Sequence, residues 1–143
     1  MPKVIKTKIE YKVGNDLDID EVVDLYRDST LGKRRPINDR ETIITMIKNA
    51  NLVITAWDKE LLVGISRALS DFSYVTYLSD LAVRKSYQKQ GIGKELIRQT
   101  QIESGPNTTM ILLAAPAAEE YYPKIGFKNH SQCWILEQGK TIS

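Results

Sequence analysis

Cysteine is almost missing from these 143 residues. Cys133 stands alone, so no disulfide can form within the chain, which fits a reducing compartment. Histidine is equally scarce: with His130 the only one, a Cys/His zinc cluster is out of reach, and no metal is expected. No apolar run approaches the roughly 18 residues a membrane helix needs. The opening "MPKVIKTKIEYK" lacks the apolar centre of a secretory leader. A net charge of +2 gives no footing for a nucleic-acid partner. The expectation is a soluble cytoplasmic protein that binds neither nucleic acid nor membrane.

What is present is ordinary for a globular chain, 42% hydrophobic and 27% charged, and long enough to bury a core as one domain over 1–143. Residues 3–13 alternate, with Ile5, Thr7, Ile9, Tyr11 and Val13 on one face and a basic row on the other, as a half-buried strand does. Asp16 or Asp18 can cap a helix carrying Ile19, Val22, Val23 and Tyr26. After the loop "STLGKRRPIND", Asn38 with Glu41 suggests the cap of a second helix whose stripe is Ile43, Ile44 and Ile47. Strands are expected at about 52–57, 61–70 and 74–84, and then a helix ending near Ser104. "TMILLAA", apolar on both faces, reads as a fully buried strand. A short helix over "AAEEYYPKI" and a last strand from Phe127 to about Glu137 complete the chain, with Cys133 packed in the core and His130 at the surface. The order β-α-α-β-β-β-α-β-α-β predicts an α+β sandwich. Its mixed sheet has about six to seven strands, with helices on both faces.

The chemistry-bearing stretch is "VRKSYQKQGIGKELI", Val83 to Ile97. A P-loop is excluded, because no glycine lies five before Gly93 and Glu95 follows Lys94. A dinucleotide fingerprint is excluded by Leu96 at its third glycine and by seven residues between strand and glycines. A pyrophosphate site is left. Free amides at a helix start attract an anion, Gly91 and Gly93 clear the approach, and Gln88, Lys89, Gln90 and Lys94 add donors and charge. A glycine-rich turn that merely starts a helix is the competing reading.

"LAVRKSYQKQGIGKELI" resembles the acyl-CoA-binding motif of the GNAT superfamily of N-acetyltransferases, [Q/R]-x-x-G-x-[G/A], here Gln88-Lys89-Gln90-Gly91-Ile92-Gly93. Downstream, "YYPKIGF" is similar to the same family's C-terminal signature, and the order of elements matches along nearly the whole chain. "SRALSD" and "LSDLAV" are also similar to bacterial and plastid members that acetylate small amines or proteins. The chain departs from the pattern at Lys85, where proline is frequent. It departs again at Ala115, where an asparagine often touches the pantetheine arm.

The resemblance implies acetyl-CoA as cosubstrate, with the thioester on the backbone of Leu81, Ala82 and Val83. The pyrophosphate would sit at Gln88 through Lys94, Ile92 included. An amine would attack the thioester directly. It implies Tyr122 as the acid that protonates the departing thiolate, while Tyr121 fits an aromatic core position. Asp80, an acid inside a predicted strand, is a candidate base if symmetric pairing puts it on the face of Gly64, Ser66 and Ala68. A strand bulge would shift that parity, and an ion pair with Arg67 or Lys85 is the equal alternative. Asp71 and Glu120 are weaker candidates. Thr30, Arg34, Arg35, Arg67 and Tyr77 are candidate linings of an acceptor pocket, Lys33, Arg34 and Arg35 being suited to a substrate's carboxylate or phosphate. The expected acceptor is thus a small-molecule amine such as an amino acid. A protein N-terminus or lysine, and a non-catalytic acyl-CoA sensor, are the other classes; a homodimer is compatible with the chain.

Overall fold

The structure, a computed structural model, describes residues 8–143. It divides into two compact units, Met1–Leu113 and Ala114–Ser143.

The first unit carries the sheet. Strand β1 (Glu10–Val13) is followed by α1 (Ile19–Asp28), a 3₁₀ turn at Thr30–Arg34 and α2 (Arg40–Asn49). The antiparallel strands β2 (Leu52–Asp58), β3 (Leu61–Ser70) and β4 (Val75–Val83) come next, then α3 (Ile92–Ser104) and β5 (Thr109–Leu112). The order across the sheet is β1-β2-β3-β4-β5, with β5 parallel to β4. The part of the first expected strand at 3–7 lies outside the described residues.

Helices cover both faces of this sheet. Val22, Leu25 and Tyr26 of α1 and Ile43 and Ile47 of α2 pack on Val53, Leu62, Ile65 and Ala82. On the opposite face a side chain at Gly64 would meet Leu96 and Ile92 of α3, and Ser66 hydrogen-bonds Thr100. Asp18 caps α1. The cap of α2 is Asp39, one residue beyond the expected Asn38; its carboxylate accepts from both the amide and the hydroxyl of Thr42. Asn15 closes the other end of α2, donating to the carbonyls of Ile47, Lys48 and Ala50.

Two strand expectations are corrected. Strand β5 is not fully buried: among the described residues it is the sheet's edge, with Thr109 and Ile111 exposed, Ile111 by 48%. Its apolar run resembled an interior strand because periodicity does not reveal whether a second ladder partner exists. The strand expected from Phe127 to Glu137 is not formed, so the sheet has five strands among the described residues rather than six to seven. A strand persists through its ladder, and among the described residues this segment joins none. Its Cys133 is accordingly exposed rather than in the core. The second unit holds a 3₁₀ turn at Pro116–Ala118 and α4 (Tyr121–Lys124), closed by Gly126 at φ +108°. No helix among the described residues is long and apolar enough to cross a membrane.

Candidate functional site

The end of β4, the connection 84–91 and the start of α3 form one continuous feature. Strand β4 pairs with β5 only through Val75–Leu78 among the described residues, yet continues to Val83. Its last five residues therefore present an edge without a β5 partner. The Arg84 amide donates across to the carbonyl of Val63 at 2.9 Å. Antiparallel alternation then directs the amides of Leu81 and Val83 away from β3, toward that open edge. The Ala82 amide faces β3 instead, and its side chain is buried in the core.

The connection that follows is tied down from several elements. Arg84 pairs with Asp24 of α1 at 2.8 Å and donates to the carbonyl of Leu62 at 2.7 Å. The Lys85 amide donates to Asp28 at 2.8 Å, and the Tyr87 hydroxyl to Asp58. Gln88 spends its amide on the Val83 carbonyl at 2.9 Å, and Lys89 sits at φ +64°. This anchoring carries the chain to Gly91, whose φ of +83° is left-handed, a conformation that glycine adopts without steric cost.

Gly91 is the N-cap of α3 and, having no side chain, makes no cap hydrogen bond. Thirteen residues of aligned peptide dipoles place partial positive charge there. A side chain at Gly91 would meet nothing within 4 Å, and one at Gly93 only Val83 at 3.9 Å. Lys89, Gln90 and Lys94 are exposed around this helix start and Ile92 is buried beneath. These donors fit a pyrophosphate and its adjoining thioester arm.

Symmetric pairing would put Asp80 on the Gly64 face; the structure has the bulge that shifts the parity and puts it on the other one. Arg67 pairs with Asp80 and Ala68 with Leu78, so Ser79 is an extra, bulged residue that reverses the parity. Asp80 is 1% exposed, and both oxygens are engaged. Oδ1 accepts from Arg35 Nε at 2.7 Å, and Oδ2 from Arg67 Nε at 2.5 Å and the Tyr26 hydroxyl at 2.7 Å. Burial alone would raise its pKa; the hydrogen bond and charge of Arg67, then Tyr26 and Arg35, outweigh it and hold it below the usual carboxylate range. Burial, and then Asp80's charge, push Tyr26 well up. An ion pair with Arg67 or Lys85 was the equal alternative to a base, and the pair formed is with Arg67; Tyr26 and Arg35, 54 and 45 residues away in sequence, have no local signal. Asp71 is likewise occupied, accepting from the amides of Ser73, Tyr74 and Val75.

The candidate acceptor residues are not all brought together. Arg35 and Arg67 converge on Asp80, whereas Thr30 and Arg34 are exposed on the loop and Tyr77 is 38% exposed on β4. Arg67 also lines a groove of about 460 Å³ with Leu69 of β3 and Thr42, Thr45, Met46 and Asn49 of α2, rimmed by Asp39 and Glu41. In the second unit Tyr122 is half-buried, edge-on to Tyr121 and to Phe127, each with centroids 5.5 Å apart. Burial raises the pKa of Tyr121. Ala115 precedes the 3₁₀ turn of that unit.

The Acetyltransferase (GNAT) domain family matches residues 32–136. The uncharacterized N-acetyltransferase ycf52 of Pyropia yezoensis is 29% identical over 131 residues, covering 84% of this chain and 73% of that protein. The chain spans between 57% and 73% of the length of the curated relatives it matches. A GNAT-family acetyltransferase from Streptococcus pneumoniae TIGR4 has a similar structure, with 21% identity and a TM-score of 0.69 over 92% of this chain and 100% of that one. So has an aminoglycoside N-acetyltransferase in complex with CoA, with 14% identity and a TM-score of 0.72 over 97% and 100%.

Proposed function

The chain belongs to the GNAT acetyltransferase family, and on that premise we propose that it transfers an acetyl group from acetyl-CoA to a primary amine of a small molecule. The observation that carries this reading is the union of the uncapped start of α3 with the open β4 edge. One part suits the CoA pyrophosphate. The other offers amides to the thioester.

In this account Gly91 and Gly93 admit phosphate oxygens to the α3 amides, with Lys89 and Lys94 adding charge and Gln90 a donor. Gln88 acts by holding the Val83 carbonyl, which steadies the edge. The amine nitrogen attacks the thioester carbonyl carbon, the C–N bond forms, the C–S bond breaks, and CoA leaves as thiolate. By the family's signature motif Tyr122 is the group that gives its hydroxyl proton to that sulfur, as a phenol can toward a thiolate leaving group.

An alkyl ammonium of pKa about 10.4 is neutral roughly once in a thousand at pH 7.4, a cost of about 4 kcal/mol. Its proton must therefore be taken. A carboxylate held by two guanidiniums is a weak base, so we assign Asp80 to holding β4 and the deprotonation to water. With Arg35 and Arg67 already committed to Asp80, an acid-bearing acceptor finds its cations in Lys33 and Arg34.

The reading is tested by acetyl-CoA-dependent thiol release across amino acids, dipeptides, polyamines, aminoglycosides and arylalkylamines. Turnover on acid-bearing amines supports the transferase and the role of Arg34. Turnover on cationic amines or peptides keeps the transferase and discards that role. Silence on every amine, with acetyl-CoA still bound, contradicts a small-molecule acceptor.

A further inference from the structure

Strand β4 reaches the site only after its bulge, and the bulge decides which amides arrive there. With Ser79 bulged, Leu81 and Val83 face the open edge, as the Arg84–Val63 hydrogen bond requires. Without the bulge, the pairing Ala68–Leu78 would continue unbroken and set Ser66 opposite Asp80. Every later residue of β4 would then reverse its direction. Asp80 and Ala82 would present their amides to the edge, and Leu81 and Val83 would turn theirs inward.

Three side chains hold the bulged register, and two come from the sheet and α1. Arg67 donates to Asp80 Oδ2 at 2.5 Å and to Ser79 Oγ at 2.8 Å, and Tyr26 donates to Asp80 Oδ2. The third comes from the loop between α1 and α2. Arg35 donates through Nε to Asp80 Oδ1 at 2.7 Å and through Nη2 to the Ser79 carbonyl at 2.8 Å. Its Nη1 donates to the Arg34 carbonyl at 2.8 Å. A bulge takes its carbonyl out of the ladder, and Arg35 supplies the missing donor. Only a planar fork with several N–H groups meets three such acceptors at once; a lysine ammonium cannot.

We propose that Arg35 is a positioning residue for acyl transfer: it locks the β4 bulge, so that the amides of Leu81 and Val83, and not their neighbours, receive the thioester carbonyl. The role rests on the proposed function, because it presumes that an acyl-CoA lies along this edge. It goes further by giving the loop cation a task in the reaction other than holding the acceptor's acid group.

The test uses the full chain with acetyl-CoA carrying a ¹³C label at its thioester carbonyl, and needs no acceptor amine. Infrared difference spectra read the hydrogen bonding of that carbonyl, and calorimetry reads affinity for CoA itself. In the wild-type protein the bound carbonyl stretch falls below its value in water-free solvent. Arg35→Ala loses that lowering while its CoA affinity stays within about threefold, since the α3 end is untouched. Added guanidinium restores the lowering. Arg35→Lys keeps a cation beside Asp80 and secures the fold should the alanine variant be unstable; it too loses the lowering, because it cannot hold Ser79 as well. A wild-type protein that binds no acetyl-CoA overturns the proposed function and this role with it. Binding with the lowering retained in both variants overturns the role of Arg35 alone and leaves the transferase reading in place.

Discussion

At the scale of single residues, the largest electrostatic commitment is Asp80 among Arg67, Arg35 and Tyr26. A buried ion pair adds little over a well-packed apolar substitute, but removing one partner strands the other charge. Asp80→Asn is therefore expected to cost about 3–5 kcal/mol of stability. Tyr26→Phe removes one hydrogen bond to a charged group and is expected to cost about 1.5–3 kcal/mol. Urea denaturation measures both. The pH dependence follows the same network. Asp80's folded pKa lies below its unfolded value near 3.9, so its stabilisation is complete above pH 4 or so and drains away as pH falls through the folded value. Tyr26 is raised in the fold, so its contribution holds below about pH 10 and is lost as the unfolded tyrosine ionises above it. Asp80→Asn should flatten the acid limb of that curve. An acid inside a strand was legible as an anomaly needing a partner, but unbulged hairpin pairing leaves Arg67 on the other face, and only the bulge at Ser79 brings the two together. Arg35 was legible only as part of a basic run, because nothing local says that its loop folds back onto β4.

Helices and strands were read best where one period dominated. The stripes of α1 and α2 and the three antiparallel strands fall within a residue or two of their expected places. Misreadings occurred where a partner, not a pattern, decides. Asn15 shows this at the end of α2: a turn residue by type, it satisfies three carbonyls of a helix more than thirty residues away. Orphan carbonyls at a helix end are costly when left unmet. Asn15→Ala is expected to lower stability by about 1–2 kcal/mol, measured as a fall in Tm. Strand β5 and the segment 127–137 failed for the same reason: apolar content announces burial, but the ladder partner that would supply it is a property of the assembled sheet. The bulge at Ser79 left no mark in composition, yet it inverts the face of Asp80 and sets the direction of Leu81 and Val83.

Taken whole, the molecule has the family's mixed sheet, and the segment proposed to hold CoA follows directly on β4. Gln88 through Gly93 do lie at the start of α3, and the β4 edge adjoins them. The second unit carries the signature tyrosine, whose proposed role rests on its motif. Tyr122→Phe is expected to cut turnover by roughly 10²-fold or more while leaving CoA affinity unchanged. Steady-state kinetics on the best amine, beside calorimetry, separates the two; unchanged turnover removes Tyr122 as the acid.

The central claim is that the amides at the start of α3 hold the CoA pyrophosphate, and Gly93 tests it most directly. Helical Cα–Cβ bonds lean toward the N-terminus, so a methyl at 93 projects toward the anion site. Among the described residues it would meet Val83 at 3.9 Å, ordinary van der Waals contact, and alanine favours the helix by up to about 1 kcal/mol over glycine. We would titrate CoA calorimetrically into wild-type and Gly93→Ala protein. The account predicts a variant at least as stable as the wild type that binds CoA about tenfold or more weakly. Equal affinity in the two proteins would contradict it.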